Sequence, residues 1–312
     1  MKMDVDLVYL WVNGNDSAWQ ARKRAYLGVA ITEDEANCKG RHINNDELKY
    51  SLRSVEEHAP WIRKIFIVTD NQTPDWMDTS HPKIQIIDYR DIVPAEAVPC
   101  YNSVVIEYFL YRITGLSEHF LYGNDDMFFN ADLPADSFFA EDSFPYVRLF
   151  RKPFGQWRYR WKDWLGKNLS IYRFTILKAA RLVQSRYGKF YSGIPHHNID
   201  AYRKTDCRAV VENIFKPAID SCISHHKRSL EDIQRAVFLY YALAVEHGHQ
   251  KYVRPAEARI IDVNEPDYAK QLRRYHPKLF CLNDNQNVTE TDRERIRPFL
   301  ENLFPVKSAF EL

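Results

Sequence analysis

Residues 119–129 read His119-Phe-Leu-Tyr-Gly-Asn-Asp-Asp-Met-Phe-Phe129. The apolar run from His119 to Tyr122 predicts a short buried strand, and the polar triplet Asn124-Asp125-Asp126 follows where that strand would end. Ligands of open α/β sheets bind at the carboxyl ends of strands. Adjacent carboxylates there can hold Mg²⁺ or Mn²⁺ against the phosphates of a nucleotide, because these hard cations prefer oxygen ligands. The other interpretation is an Asx-rich turn that caps the next element.

Strand and helix patterns alternate before and up to this motif. Apolar, β-branched and aromatic runs at 6–12, 64–69 and 84–87 predict strands, and the first run ends at a turn that begins with Asn13-Gly14. Helical spacing of apolar residues over 45–58 predicts one helix, and residues 103–112 predict a second. The chain therefore has the rhythm of an α/β fold with a mostly parallel sheet and crossover helices.

Composition excludes several classes of protein. The chain has 312 residues, of which 45% are hydrophobic, and its formal net charge is +1. Such a chain can build a substantial core, and the near-neutral charge argues against a nucleic-acid binder. Five scattered cysteines without a C-x-x-C pair predict reduced thiols in a cytosolic compartment. We find no signal-peptide pattern, and the longest apolar stretch is too short to span a bilayer.

A basic, aromatic-rich segment occupies residues 148–189. It holds twelve Lys or Arg residues and one acid, a local charge of about +11. This composition suits a polyanionic acceptor, an anionic membrane surface or a nucleic acid, and the alternative is the solvated face of an inserted helical subdomain. We expect a core at 1–147, this insertion at 148–190, and a mainly helical part at 191–312. The helices of that part are predicted at 207–215 and 229–247, the second starting at a capping-box pattern.

Further polar residues are candidates for the same site. Glu107 lies on the helix that precedes the Asn-Asp-Asp strand, and His196 and His197 are candidates for a general base or a phosphate contact. Arg228 precedes a predicted helix N-terminus, where an arginine suits an anionic phosphate. A second Asn/Asp cluster, at 281–286, follows an apolar run. Each of these signals, taken alone, is also compatible with a surface carboxylate, a structural histidine, a basic loop or a turn.

Four blocks of the sequence, in this order, resemble the Stealth family of sugar-1-phosphate transferases. This family includes bacterial capsular polysaccharide phosphotransferases and the catalytic subunit of the lysosomal-enzyme GlcNAc-1-phosphotransferase. The third block differs from the usual His-x-Pro pattern, because Gly193-Ile-Pro195 precedes the histidines, so either histidine can be the functional one. The absence of the modules of the eukaryotic enzyme favours the bacterial capsule branch. The blocks are Asp6–Asp16, Asn45–Asp126 with gaps, the region around His196 and Arg228, and Cys281–Asn285.

The resemblance implies transfer of a hexose- or N-acetylhexosamine-1-phosphate from a nucleotide-sugar, most simply a UDP-sugar, to a hydroxyl of a capsular oligosaccharide or polysaccharide. It implies a phosphodiester product, release of nucleoside monophosphate, and a Rossmann-like or GT-A-like nucleotide-sugar-binding sheet. It also favours a cytoplasmic enzyme, free or peripheral at the inner face of the membrane. Two rivals stay open: a metal-dependent glycosyltransferase that releases nucleoside diphosphate, and a non-catalytic module that binds polyanions or membranes.

The family's functional positions carry over to Glu107, Asp126, His196 or His197, and Arg228. Around them we expect a metal site for Mg²⁺ or Mn²⁺ and a set of contacts to the nucleotide-sugar, and the choice between histidine and Glu107 as the base stays open. The expected metal ligands are Asp125, Asp126 and Asn285, and the expected donor contacts are Asn13, Gly14, Asp16, Arg53 and Asn124.

Overall fold

A computed structural model describes residues 3–28, 43–152, 155, 157 and 169–312. Its strands and α-helices are numbered here in chain order. The strands are β1 Val5–Leu10, β2 Ile65–Thr69, β3 Ile84–Asp88, β4 His119–Asn124, β5 Met127–Phe129, β6 Tyr146–Phe150, β7 Ile194–Pro195, β8 Asp200–Arg203, β9 His249–Tyr252, β10 Ala258–Asp262 and β11 Leu279–Asn283. The helices are α1 Ser17–Leu27, α2 Glu47–His58, α3 Ser103–Tyr108, α4 Ile171–Tyr187, α5 Lys204–Ala209, α6 Lys216–Ile223, α7 Ala236–Ala244, α8 Tyr268–Tyr275, α9 Glu290–Arg293 and α10 Ile296–Leu303.

The central sheet has the strand order β3-β2-β1-β4-β8. The first four strands run parallel, and β8 is antiparallel to β4. All five residues of β2 are buried, as expected for strands covered on both faces. Because β1 to β4 are parallel, their carboxyl ends meet at one edge, where Leu10 pairs with Val68 on one side and Asn124 on the other. The predicted α/β fold with a mostly parallel sheet is confirmed.

Helix α2 covers one face of the sheet through the residues that sequence spacing predicted. Leu48, Leu52 and Val55 are all buried, and they belong to one apolar core with β1 and β2. The helix begins at Glu47, which follows Asp46 at a φ of 65°. Its first turn lies near the carboxyl edge of the sheet, so Glu47 is carried into the same region as the end of β4.

A second, three-stranded sheet has the order β10-β11-β5. Strand β11 runs antiparallel to β5, with Cys281 opposite Met127, and the amide of Leu282 donates to the carbonyl oxygen of Asp126 at 3.0 Å. This pairing joins two distant polar motifs of the sequence. The turn Asn124-Asp125-Asp126 between β4 and β5 therefore lies beside the Asn/Asp cluster that follows β11.

The part of the chain after residue 190 contains helices, as expected, together with the strands β7 to β11. The helix predicted at 229–247 begins only at Ala236, because residues 229–235 form turns in which the amide of Ser229 donates to Asp232 Oδ2 at 2.9 Å. All nine residues of α7 are buried, and the helix packs against α4. The helix predicted at 207–215 is divided between α5 and a π-helix at Val210–Ile214.

Two further expectations concern the thiols and the membrane. Cys100, Cys207, Cys222 and Cys281 are free and buried in the described part of the chain, as the scattered cysteine pattern predicted. Within the same residues, every helix is too short or too polar to traverse a lipid bilayer.

Candidate active site

A cavity of about 790 Å³ opens at the carboxyl edge of β1 to β4. Its walls combine the ends of these strands with α3, the first turn of α4 and the loop after β11. Most of the predicted site residues reach it. The predicted residues that line it are Glu107, Asn124, Asp125, Asp126, His197, Arg228 and Asn285.

The floor of the cavity carries a cluster of carboxylates. Burial raises the pKa of Asp126 to about 6 and that of Glu47 to about 7. Burial also raises the pKa of Asp125 well above its usual range, and the negative charges of Asp126 and Glu47 raise it further. Glu47 was not predicted, and it is held by two 2.7 Å hydrogen bonds from the backbone and side-chain nitrogens of Asn45.

Asp126 has two different carboxylate oxygens. Oδ2 accepts a hydrogen bond from Cys281 Sγ at 3.4 Å, whereas the buried Oδ1 has no hydrogen-bond partner among the described residues. Burial keeps the pKa of Cys281 well above its usual value, so the sulfur stays a thiol donor. Ligand atoms of Asp126, His197 and Cys281 all lie within 4.8 Å of one another. The site therefore brings a nitrogen base next to the acidic cluster.

Adjacent histidines occupy different surroundings. His197 lines the cavity at a φ of 52°, and its ring meets Tyr172 edge-on at 5.6 Å. His196 is fully buried, and its Nε2 lies 2.9 Å from Oδ1 of the buried Asp200. Of the two candidates left open by the sequence, the geometry brings His197 to the cavity and gives His196 a structural partner.

Glu107 lies on α3 and is 6% exposed. Its Oε1 accepts a hydrogen bond from Tyr122 at 3.2 Å, and the same hydroxyl lies 3.0 Å from Asn124 Oδ1. Its Oε2 lies 3.8 Å from Nη1 of Arg235, a residue that the sequence did not indicate. Arg235 also approaches Asp200 at 3.6 Å. Glu107 and the His196–Asp200 pair are thus joined through one buried guanidinium.

Arg228 reaches the cavity from the loop before α7. Its Nη2 donates to Ser103 Oγ at 2.5 Å, which ties the loop to the start of α3. The buried Asp232 holds this loop in place, because it accepts hydrogen bonds from Asn102 Nδ2 at 3.0 Å and from the Ser229 amide at 2.9 Å. Asn102 in turn caps α3 at the Val104 amide. One carboxylate therefore positions the elements that carry both Arg228 and Glu107.

Arg53 was predicted to contact phosphate, and the structure corrects this prediction. Its guanidinium forms two 2.8 Å hydrogen bonds with the carboxylate of Glu311 and donates to the Phe304 carbonyl at 2.8 Å. These contacts fasten α2 to the C-terminal part of the chain, outside the cavity lining. Sequence spacing cannot reveal this, because Glu311 is 258 residues away.

The predicted turn after β1 lies beside the cavity, where Trp11 and Val12 form the lining. The Asn13 amide donates to Gln72 Oε1 at 2.8 Å, and Gly14 accepts from Gln20 Nε2 at 2.7 Å. Asp16 caps α1 at the Ala18 amide. The side chain of Asp16 therefore stabilises the start of α1. Asn13, Gly14 and Asp16 were predicted to contact the nucleotide, but the cavity is lined by the preceding residues Trp11 and Val12.

Asn285 lines the cavity, but its side chain is engaged in its own loop. Its Oδ1 accepts from the Asn287 amide at 2.9 Å, and its Nδ2 donates to Asp262 at 3.3 Å. Both carboxylate oxygens of the neighbouring Asp284 accept hydrogen bonds from the Arg293 guanidinium, at 2.7 and 3.0 Å. The loop thus contributes hydrogen-bonded polar side chains to the cavity lining, beside the turn that carries Asp125 and Asp126.

The donor set fits a hard divalent cation. Two adjacent carboxylates and the orphaned Oδ1 of Asp126 offer oxygen ligands, and burial and mutual repulsion raise the pKa of these carboxyls, a cost that a bound cation would remove. Asp125 and Asp126 would hold the ion, and Asn285 and Glu47 line the same cavity. The Cys281 thiol is not required for such a site.

Comparisons with known proteins agree with this picture. Stealth protein conserved region 1 matches residues 3–28, conserved region 2 matches residues 41–147, and conserved region 4 matches residues 270–312. The exopolysaccharide phosphotransferase SCO6023 of Streptomyces coelicolor is 36% identical over 331 residues, covering 100% of this chain and 53% of that protein. CpsY of Mycobacterium tuberculosis is 34% identical over 322 residues, with coverages of 99% and 58%. SacB of Neisseria meningitidis serogroup A, a capsular polysaccharide phosphotransferase, is 30% identical over 323 residues, with coverages of 99% and 57%.

The chain spans little more than half the length of these curated relatives. Among solved structures, an active-site mutant of LgtC aligns with a TM-score of 0.47 and 9% identity over 95% of each chain. The glycosyltransferase GlyE of Streptococcus pneumoniae aligns with a TM-score of 0.43 and 11% identity, covering 97% of this chain and 61% of that one. The three conserved-region matches and the similarity to phosphotransferases over the whole of this chain show that it belongs to the Stealth protein family.

Proposed function

We propose that this chain transfers a sugar 1-phosphate from a nucleotide-sugar to a hydroxyl of a capsular or exopolysaccharide acceptor. The products would be a phosphodiester and a nucleoside monophosphate. The observation that supports this proposal most strongly is the convergence of Asp125, Asp126, His197, Glu107 and Arg228 in one cavity. Phosphoryl transfer needs charge neutralisation and a positioned nucleophile, and these residue types supply both.

The diphosphate of the donor is assigned to the end of β4. There Asp125 and Asp126 would hold Mg²⁺ or Mn²⁺, which neutralises charge on the phosphates when it is bound. Arg228 would bind phosphate oxygens, because a guanidinium recognises them through paired hydrogen bonds. His197 lies beside Asp126 and would donate a hydrogen bond to the transferring phosphate. Asn124 is held by Tyr122 at the same edge and would contact the donor sugar.

The nucleoside is assigned to the end of the cavity formed by β1, β2 and β3. Aromatic side chains line that end, namely Trp19, Tyr89 and Tyr101, and the rings of Trp19 and Tyr101 meet edge-on at 5.7 Å. Flat apolar faces of this kind stack on nucleobases. Uridine is the expected nucleoside, as in the UDP-sugar that the family resemblance implies.

The acceptor is assigned to the side of the cavity lined by described residues of the basic segment 148–190. Lys152 and Arg173 of this segment line the cavity. Residues 153–154, 156 and 158–168, between them in the sequence, lie outside the described part of the chain. Cations at this wall suit a polyanionic polysaccharide. The cytoplasmic placement and the contact with an anionic membrane stay predictions.

A nucleotide-release assay tests this function. The chain would be incubated with UDP-, GDP- and CDP-sugars and a capsule oligosaccharide, with Mn²⁺, Mg²⁺ or EDTA. The proposal predicts metal-dependent release of nucleoside monophosphate. Release of nucleoside diphosphate would instead identify a glycosyltransferase, and release of neither product would favour a binding module.

A further inference from the structure

Arg235 is the buried cation of the candidate site that the sequence did not indicate. It immediately precedes α7, whose nine residues are all buried, so its backbone is fixed by an apolar helix. The side chain is 4% exposed and lines the cavity. Burial of a guanidinium is expensive unless acceptors surround it, so its surroundings indicate what it does.

The Arg235 guanidinium lies between carboxylates from two separate elements. Its Nη1 is 3.8 Å from Glu107 Oε2 on α3, and its Nη2 is 3.6 Å from Asp200 Oδ2 on β8. Its Nε donates to the Tyr202 hydroxyl at 3.3 Å, and the group lies 5.0 Å from the centre of the Tyr122 ring. The guanidinium is thus held from the protein side and directed toward two acids.

Both of these ion pairs are open. Charged N–H···O bonds normally measure about 2.7–2.9 Å, so separations of 3.6 and 3.8 Å leave the pairs without a direct hydrogen bond. Three other arginine–carboxylate pairs in the described part of the chain, each with a carboxylate at most 12% exposed, close with two hydrogen bonds each, whereas a more exposed pair such as Arg22–Asp70 at 3.5 Å is also open. The closed pairs are Arg53–Glu311 at 2.8 and 2.8 Å, Arg63–Asp6 at 2.9 and 2.6 Å, and Arg293–Asp284 at 2.7 and 3.0 Å.

The open geometry leaves buried polar atoms without hydrogen bonds in the described structure. Glu107 Oε2, Asp200 Oδ2 and Arg235 Nη2 all belong to this group, and each of the three residues is more than nine-tenths buried. Such atoms are rare in proteins because their desolvation is not compensated. Glu107 and Arg235 both line the cavity and Asp200 does not, so of the two open pairs it is the Glu107–Arg235 pair that borders the cavity.

We propose that the open Glu107–Arg235 pair binds the attacking hydroxyl of the acceptor sugar. This proposal rests on the proposed function and adds the location of the nucleophile. A hydroxyl fits an open pair because it donates one hydrogen bond and accepts another. It would donate to Glu107 Oε2 and accept from Arg235 Nη1, and so bridge the two atoms, which are 3.8 Å apart.

The reaction at this site exchanges one bond to phosphorus for another. The hydroxyl oxygen forms a bond to the phosphorus that carries the sugar, and the bond from that phosphorus to the bridging oxygen breaks. The bridging oxygen leaves with its electron pair as part of the nucleoside monophosphate. The hydroxyl proton passes to Glu107, and Arg235 orients the oxygen that loses it. This assigns the base to Glu107 rather than to a histidine.

Two variants of Arg235 test the subsite. Arg235→Lys keeps the positive charge but not the planar fork, and Arg235→Met removes the charge. Affinity for UDP-N-acetylglucosamine with Mn²⁺ would be measured by calorimetry, and transfer to a capsule oligosaccharide by nucleoside monophosphate release. Arg63→Met is the matched control, because it opens a closed pair with the buried Asp6 and does not line the cavity.

We expect both Arg235 variants to bind the donor within about two-fold of the unchanged chain while transfer falls about 100-fold, since misplacing a reacting group by about 1 Å costs that much. The acceptor KM should rise in Arg235→Lys. The control should lose thermal stability and keep its transfer kinetics. If Arg235→Met does not fold, Arg235→Lys decides alone.

Normal transfer with a normal acceptor KM in a folded Arg235 variant would overturn the subsite. A parallel loss of donor affinity and transfer would overturn it too, because Arg235 would then serve the donor. The product formed by the unchanged chain separates this claim from the proposed function. Release of nucleoside diphosphate contradicts that function, whereas the Arg235 comparison holds for either reaction because both need an acceptor hydroxyl.

Discussion

His196 and His197 are adjacent in the chain, yet only His197 lines the cavity, whereas His196 is fully buried with its Nε2 2.9 Å from Asp200 Oδ1. His197 has a φ of 52°, in the left-handed region that non-glycine residues rarely adopt, so the backbone changes direction between the two histidines. The buried pair therefore works as an anchor, and the residue that follows it is presented to the acidic cluster.

Different losses are expected when these histidines are replaced. His197→Asn should lower transfer about 100-fold with little change in melting temperature, because asparagine tolerates a positive φ and only a hydrogen-bond donor to the phosphate is altered. His196→Ala should lower the melting temperature by several degrees, since it leaves Asp200 without its hydrogen bond. Circular dichroism melting and initial rates separate the two effects. Equal losses of rate with no difference in stability would contradict the assignment.

Asp126→Asn tests the cation site. The substitution keeps the size of the side chain and removes the charge that a divalent cation needs, so Mn²⁺ should no longer raise the melting temperature, and transfer should be abolished. Asp132 offers a control, because its side chain is 89% exposed, lies outside the cavity lining and pairs with His58. Asp132→Asn should keep both the Mn²⁺ response and the activity. A Mn²⁺ response that survives Asp126→Asn would place the ion elsewhere.

Stability should depend on pH through the same carboxyls. The folded-state pKa of Asp126 is about 6 and that of Glu47 about 7, above the ordinary values of 3.8 and 4.5. Protonation therefore favours the folded chain, and this stabilisation is full below about pH 4 and is lost as pH rises through about 6 to 7. A cation replaces the protons, so the gain in melting temperature from Mn²⁺ over EDTA should be larger at about pH 8 than at about pH 5. An equal gain in melting temperature at both pH values would contradict binding of the cation by these carboxylates.

Arg53 should matter for stability and not for transfer. Its guanidinium is 10% exposed and its partner Glu311 is 3% exposed, so Arg53→Met leaves a buried carboxylate that has lost both guanidinium hydrogen bonds and keeps only the longer contact with Lys49, at 3.6 Å, as an ion pair in the described part of the chain. Breaking such a pair costs about 3 kcal/mol of unfolding free energy, measurable by urea denaturation. The donor KM should stay unchanged at a temperature where the variant is folded. A raised donor KM without a loss of stability would contradict this expectation and support the phosphate contact that the sequence suggested for Arg53.

Local patterns in the sequence predicted the sheet well. The strand runs at 6–12, 64–69, 84–87 and 119–122 all form strands of the central sheet, because buried parallel strands require continuous apolar residues. The start of α7 was wrong by seven residues. The residues Ser229 to Asp232 resemble a helix cap in sequence, but in the structure they form a hydrogen-bonded turn next to Arg228.

The site was predictable where it follows a strand end and not where it depends on distant pairing. Asp125, Asp126 and Glu107 were found because they flank a recognisable strand. Arg235 was missed, since its partners Glu107 and Asp200 are 128 and 35 residues away and no local pattern links them. Glu47 carried only a weak signal, a carboxylate in the first turn of a predicted helix, which is common for reasons of helix stability alone.

Tracing the phosphorus that carries the donor sugar distinguishes transfer of a sugar 1-phosphate from transfer of the sugar alone. UDP-N-acetylglucosamine labelled with ³²P at that phosphorus would be incubated with the chain, Mn²⁺ and a capsule oligosaccharide, and the polymer would be separated from free nucleotides. A sugar-1-phosphate transferase places the label in the polymer, in a phosphodiester, while unlabelled UMP is released. Label that stays in UDP while unlabelled sugar enters the polymer would contradict the account, because the bond broken would be the one between sugar and oxygen.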